Sequence, residues 1–188
     1  FQRFKVPIKK QIVQARDAEL QPSRDFSGQL QAEEWDKLRE KVRAGEAQML
    51  DVRNRYEVAI GTFQEATDPN TNTFKEFSDY LDREVGSSLN PELPTAIFCT
   101  GGIRCEKARM DLERRGFKDV FQLKGGILGY FKNSREQAYQ GERFVYDERV
   151  AVDNRLNPTE RYVLCSVCGG PKPRDGSFHD CNNGRRPL

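Results

Sequence analysis

The chain has 188 residues, 36% hydrophobic and 32% charged, with a net charge of +2. That length holds one domain of common size with room for a small appendage. The near-balanced charge does not single out a nucleic-acid binder, and no apolar run approaches the roughly 18 residues that span a membrane.

The first residues, "FQRFKVPIKK", are basic and lack an apolar core or a small-residue cleavage site, so no signal peptide is expected. With no initiator Met, the sequence reads as continuing from an upstream domain. A β-like run, "FKVPIKKQIV", leads into a polar linker with Pro22, Ser23 and Gly28. Leu30, Trp35, Leu38 and Val42 recur at helical spacing, which predicts an amphipathic helix over 29–47 ending near Gly45. "QMLDVRN" (48–54) predicts a short buried strand, 73–85 a helix, "PTAIFC" (94–99) an apolar strand, and 105–116 a helix closed by Gly116. A strand over 118–126 and a short helix, "ILGYFKN", complete the alternation. This order predicts an α/β domain with a mainly parallel sheet. One or two short strands are expected over 141–156, and the last 30 or so residues are too polar to build a core.

The five cysteines form two groups, Cys99 and Cys105 mid-chain, and Cys165, Cys168 and Cys181 near the C-terminus. An odd number without a secretion signal argues for reduced thiols in a cytoplasmic setting. "FCTGGIRCEKA" places Cys99 where a parallel sheet presents its ligands, beyond the carboxyl end of a strand. The residues after it, Thr100, Gly101, Gly102, Ile103, Arg104 and Cys105, enter a helix whose N-terminus supplies unpaired N–H groups and the positive end of a dipole. Gly101 and Gly102 permit the tight backbone that would curl those groups around the Cys99 sulfur, and such a cradle lowers a thiol's pKa. Arg104 adds a positive charge aimed either at a substrate or back at a carboxylate. A cysteine-type phosphatase would set five residues between Cys and Arg, whereas Thr100–Ile103 make four. A metal knuckle would want further His or Cys nearby, and the chain's single His is at 179. Two buried core cysteines remain the bland alternative.

The stretches "MLDVRNRYEVAIGTF", "IFCTGGIRCEKA" and "VFQLKGGILGY" resemble the rhodanese superfamily. With "RNRYEVAIGTFQEATDPNTNTFKEF" and "FVYDERVAV", the chain is most similar to the rhodanese-containing tRNA uridine hydroxylase family, which makes 5-hydroxyuridine at the wobble position. The resemblance implies three parts: residues 1–28 as the end of a ferredoxin-like domain plus a linker, 29–140 as the rhodanese domain, and 141–188 as a C-terminal extension. It also implies a three-layer fold, Cys99 as the catalytic cysteine, and tRNA and a prephenate-type metabolite as partners. Asp51 and Arg53 match a "D-x-R" pattern expected to form an ion pair that braces a loop, with direct substrate contact as the alternative. Glu57 is expected to pair with Arg53 or cap nearby backbone. Lys107 is either an anion or RNA contact facing the loop or a solvated surface lysine. Cys105 stays open between a resolving thiol, a second sulfur acceptor and a packed helix-start residue. Gly125 and Gly126 leave room at the mouth of the site.

Three functions stay in view: tRNA hydroxylation, sulfur transfer through a Cys99 persulfide, and a non-catalytic RNA- or protein-binding module. The intact cysteine loop argues against the last. No flavin or haem motif is visible, and with one His this chain cannot build a two-histidine, one-carboxylate iron centre. In the tail, "CSVC" followed by "HDC" has the spacing of a zinc knuckle, with Cys165, Cys168 and Cys181 as ligands and either His179 or a residue beyond this sequence as the fourth. The alternative is a tail without fixed structure that happens to carry thiols.

Overall fold

The computed structural model describes residues 13–17, 20, 28–133, 138–177 and 181. The expected β-like run over 4–13 lies, apart from Val13, outside them, as does His179. Four parallel strands form the central sheet in the order β1 (Gln29–Leu30), β5 (Val120–Leu123), β4 (Thr95–Phe98), β2 (Gln48–Asp51). Helices α1 (Ala32–Arg43), α3 (Lys75–Glu84) and α4 (Ile103–Arg114) lie in the three crossovers, and α5 (Gly126–Asn133) follows the last strand of the sheet.

The strand period of two decides what each face buries. Met49, Ala96 and Phe98 pack with Trp35 of α1 and Ile127 and Tyr130 of α5. Leu50, Ile97 and Cys99 pack with Phe77 and Leu81 of α3 and Ala108 and Leu112 of α4. Both faces of β4 are therefore covered, which explains its unbroken apolar run. The same alternation turns Cys99 toward α4.

Several boundaries are tighter than expected, and two helix starts shift for a clear local reason. Residues 29 and 30 leave the predicted helix to pair with Gln122 and Leu123, and the Glu34 carboxylate caps the true start by accepting the Gln31 N–H at 2.9 Å. Helix α4 begins at Ile103, not Cys105, because Gly102 takes a left-handed φ of 91° and turns the chain into the helix there. Cys105 thus sits inside the first turn.

Beyond the sheet, β3 (Gly61–Phe63) pairs antiparallel with β6 (Tyr139–Gly141), and β7 (Arg143–Phe144) with β8 (Ala151–Val152). Phe144, Val150 and Ala151 bury Tyr56 and Ile60, from the turn of helix α2 (Arg55–Val58) and the residues after it. The last hairpin pairs β9 (Tyr162–Leu164) with β10 (Pro171–Pro173).

The end of β2 is tied down by a fully buried ion pair. Arg53 Nε and Nη2 donate to Asp51 at 2.8 and 2.6 Å, and Nη2 also reaches the Gly61 carbonyl at 2.6 Å. Thr62 Oγ1 completes the carboxylate's set at 2.8 Å. Removing the cation strands a carboxylate in the core, so Arg53→Met is expected to cost about 3–5 kcal/mol, read from the midpoint of urea unfolding.

Candidate active site

Cys99 follows the last residue of β4, and its backbone is held from below. The N–H groups of Ile127 and Leu128, at the start of α5, donate to the carbonyls of Cys99 and Thr100 at 3.0 and 3.2 Å. With those carbonyls turned away, the N–H groups of the loop are left to face the sulfur. The Gly102 N–H donates to Cys99 Sγ at 3.1 Å, and the N–H groups of Arg104 and Cys105 also point at it. Gly126 has no room for a side chain: a Cβ there would meet the Cys99 carbonyl oxygen at 2.4 Å.

The two sulfurs share one hydrogen bond, and their surroundings decide which holds the proton. Burial pushes the Cys99 thiol up, but the Cys105 thiol, the Arg104 charge and the backbone N–H groups outweigh it, so its pKa falls to about 6. Burial and the neighbouring Cys99 sulfur push Cys105 well above the ordinary thiol value. Cys99 is the thiolate at neutral pH, and Cys105 is its donor.

Arg104 does not point at open space. Its Nη2 donates to Glu57 Oε1 at 2.7 Å and its Nη1 to Oε2 at 2.5 Å, in a bidentate pair. Glu57 is fully buried and also accepts from Thr100 Oγ1 at 3.0 Å, Tyr146 Oη at 2.9 Å and the Asn54 N–H at 3.2 Å. Burial alone would raise the Glu57 carboxyl, and the Arg104 guanidinium more than offsets this, holding it low. Of the two roles expected for Glu57, the backbone cap is present, but its side-chain cation is Arg104, because Arg53 is taken by Asp51. Lys107 is buried, and its ammonium donates to the Val13 carbonyl at 2.7 Å. It ties the segment before β1 to α4 and is not a solvated surface lysine.

A cavity of about 740 Å³ opens beside Cys99, with Phe74, Lys75, Ile103, Tyr146 and Arg149 among its walls. Sequence reasoning missed Tyr146, Phe74 and Arg149. "FVYDERVAV" and "TNTFKEF" had drawn attention as stretches, but nothing in their spacing relates them to a loop tens of residues away.

In the tail, the Sγ atoms of Cys165, Cys168 and Cys181 lie within 4.8 Å of one another, the arrangement of a metal-ligating group. The Gly170 N–H donates to Cys168 Sγ at 3.4 Å. The N–H groups of Cys168 and Val167 point at Cys165 and lower its pKa to about 6. Cys165 and Cys181 are 3.8 Å apart, against about 3.8 Å for the edge of a tetrahedron with Zn–S bonds of roughly 2.3 Å. The donor set therefore fits a soft divalent ion.

A parallel three-layer α/β domain with a buried thiolate at a strand end, cradled by a helix start, is the architecture of a rhodanese. The family described as Rhodanese-like domain matches residues 34–133. This chain belongs to that family. Among curated proteins, one from Acaryochloris marina named tRNA uridine(34) hydroxylase is 42% identical over 178 residues, 93% of this chain and 56% of that protein. Proteins of the same name from Bdellovibrio bacteriovorus and Synechocystis sp. are 41% and 42% identical, over 91% of this chain and 47% and 60% of theirs. The chain spans about half the length of the curated relatives it matches.

The geometry predicts a pH profile. Alkylation of Cys99 by iodoacetamide should rise with a midpoint near pH 6 and be lost as the pH falls below it, since only the thiolate reacts. Cys105→Ala removes a donor to that thiolate and should move the midpoint upward, as followed by mass spectrometry of the labelled peptide.

Proposed function

We propose that this chain is the rhodanese part of an enzyme that hydroxylates the wobble uridine of tRNA, with the Cys99 thiolate as its reactive centre. One observation carries the reading: a thiolate poised at neutral pH on the wall of a nucleotide-sized cavity, in a chain about 40% identical over nine-tenths of its length to proteins named tRNA uridine(34) hydroxylase. Cys99 supplies a soft nucleophile at the edge of the cavity, and the N–H groups around it stabilise negative charge on sulfur or on an atom bonded to it. Arg104, committed to Glu57, positions the loop and is not a clamp for substrate oxyanions, which sets the site apart from a phosphatase. A prephenate-type metabolite as hydroxyl-related partner rests on the resemblance, and a cytoplasmic site of action on the odd number of cysteines without a secretion signal. Among the described residues, no helix is long and apolar enough to cross a membrane.

Sulfur transfer is the second reading, and the cradle itself favours it: the N–H groups that hold a thiolate would equally hold the terminal sulfur of a Cys99 persulfide. Nucleoside mass spectrometry separates the two. Cells lacking the gene should lose 5-hydroxyuridine from tRNA, the wild-type gene should restore it, and Cys99→Ala should not. Unchanged 5-hydroxyuridine in the deletion would defeat the hydroxylase reading, and strong thiosulfate-to-cyanide activity beside it would install the transferase.

We also infer that the tail holds a structural zinc ion through Cys165, Cys168 and Cys181, with His179 as the fourth ligand proposed from sequence. The ion would cross-link the β9–β10 hairpin, where little apolar surface is buried. Elemental analysis should find about one zinc per chain, reduced by Cys168→Ser. Less than about half an equivalent in the wild type would refute the site.

A further inference from the structure

The cavity beside Cys99 is much larger than a sulfur atom or an inorganic oxyanion needs. Its volume of about 740 Å³ lies within the roughly 300–1,000 Å³ that receives a small organic ligand. On its wall stands Tyr146, a large side chain that is 53% exposed. Exposure usually means a mobile ring, but this one is fixed. Its hydroxyl donates to the buried Glu57 carboxylate at 2.9 Å. Its ring meets Phe144 edge-on with centroids 4.9 Å apart, and the Arg104 guanidinium carbon lies 5.8 Å from its centroid. A ring held at three points with half its surface open can accept a planar partner at little further cost in conformational entropy.

The rest of the wall matches the other parts of a nucleotide. Ile103, 51% exposed, and Phe74 supply apolar surface. Lys75, exposed at the start of α3, has no carboxylate partner among the described residues, and Arg149 stands half-exposed beside Asp147. Cys99 itself is only 2% exposed. A base inside a duplex cannot reach a sulfur so recessed, so the target must be splayed from a single strand.

Resting on the reading of Cys99 as a centre that acts on tRNA, we propose that Tyr146 is the stacking platform for the target pyrimidine of an RNA loop, and that Lys75 holds an adjacent phosphate. The platform is built into the same hydrogen-bonded cluster that sets the cysteine loop, so base capture and the thiolate share one rigid frame.

The test uses fluorescently labelled anticodon stem-loops carrying either uridine or an abasic sugar at the wobble position, with binding read by anisotropy. The chain should prefer the uridine loop by about 10-fold to 100-fold, the usual worth of one stacked base. Tyr146→Ala should abolish that preference, whereas Tyr146→Phe, which keeps the ring and loses the hydroxyl, should retain most of it. Lys75→Gln should weaken both loops alike and flatten the salt dependence by about one phosphate contact. Lys118→Gln, at a remote exposed pair with Glu92, should change neither. Unaltered Cys99 alkylation in Tyr146→Ala would confirm an intact site. Equal binding of the two loops by the wild type, or a preference that survives Tyr146→Ala, overturns the platform. Unchanged loop binding with lost activity in Tyr146→Ala also overturns it and assigns that wall to the small-molecule partner. If cells carrying Cys99→Ala still make 5-hydroxyuridine, the catalytic reading fails instead, whichever way the loops bind.

Discussion

The buried Glu57 carboxylate is the contact on which the site depends. A charge removed from water is tolerated only when opposite charge and hydrogen bonds replace its hydration. Here the replacements come from four segments: Arg104 in the first turn of α4, Thr100 in the cysteine loop, Asn54 at the start of α2 and Tyr146 after β7. Each donor must sit where the carboxylate needs it. The geometry of the loop, of the helix start and of one cavity wall follows from satisfying a single anion.

The Cys99 sulfur inherits that order. Burial disfavours a thiolate at Cys99, and a flexible loop would leave it protonated. The loop is rigid because its carbonyls are gripped by α5 and its arginine by Glu57, so three N–H groups and the Cys105 thiol stay aimed at one atom. The positions of the two cysteines separate their roles. Cys99 lies at the end of a strand and borders the cavity, whereas Cys105 is buried inside a helical turn and keeps its proton. The three tail cysteines meet a different environment. They converge on one another at the end of a small hairpin, in the arrangement of a group that could hold a metal.

The sequence by itself determined a good deal. Alternating apolar strands and amphipathic helices pointed to a parallel α/β sheet, and a cysteine two positions before a pair of glycines at the end of one strand marked the candidate site. These features are local: a period of two or 3.6, and a glycine where φ must be positive, are written into neighbouring residues. Tertiary structure decided what depends on segments far apart in the chain. Arg104 was open between a substrate and a carboxylate, and only folding brought Glu57 to it across 47 positions. Lys107 read as a loop contact or a solvated lysine until the segment before β1 covered it. Tyr146 carried no signal, because its importance comes from lying against Glu57 and Arg104, and a hydrogen bond across 89 positions leaves no period to read. The residue types named the chemistry, and the burial of one carboxylate placed them around it.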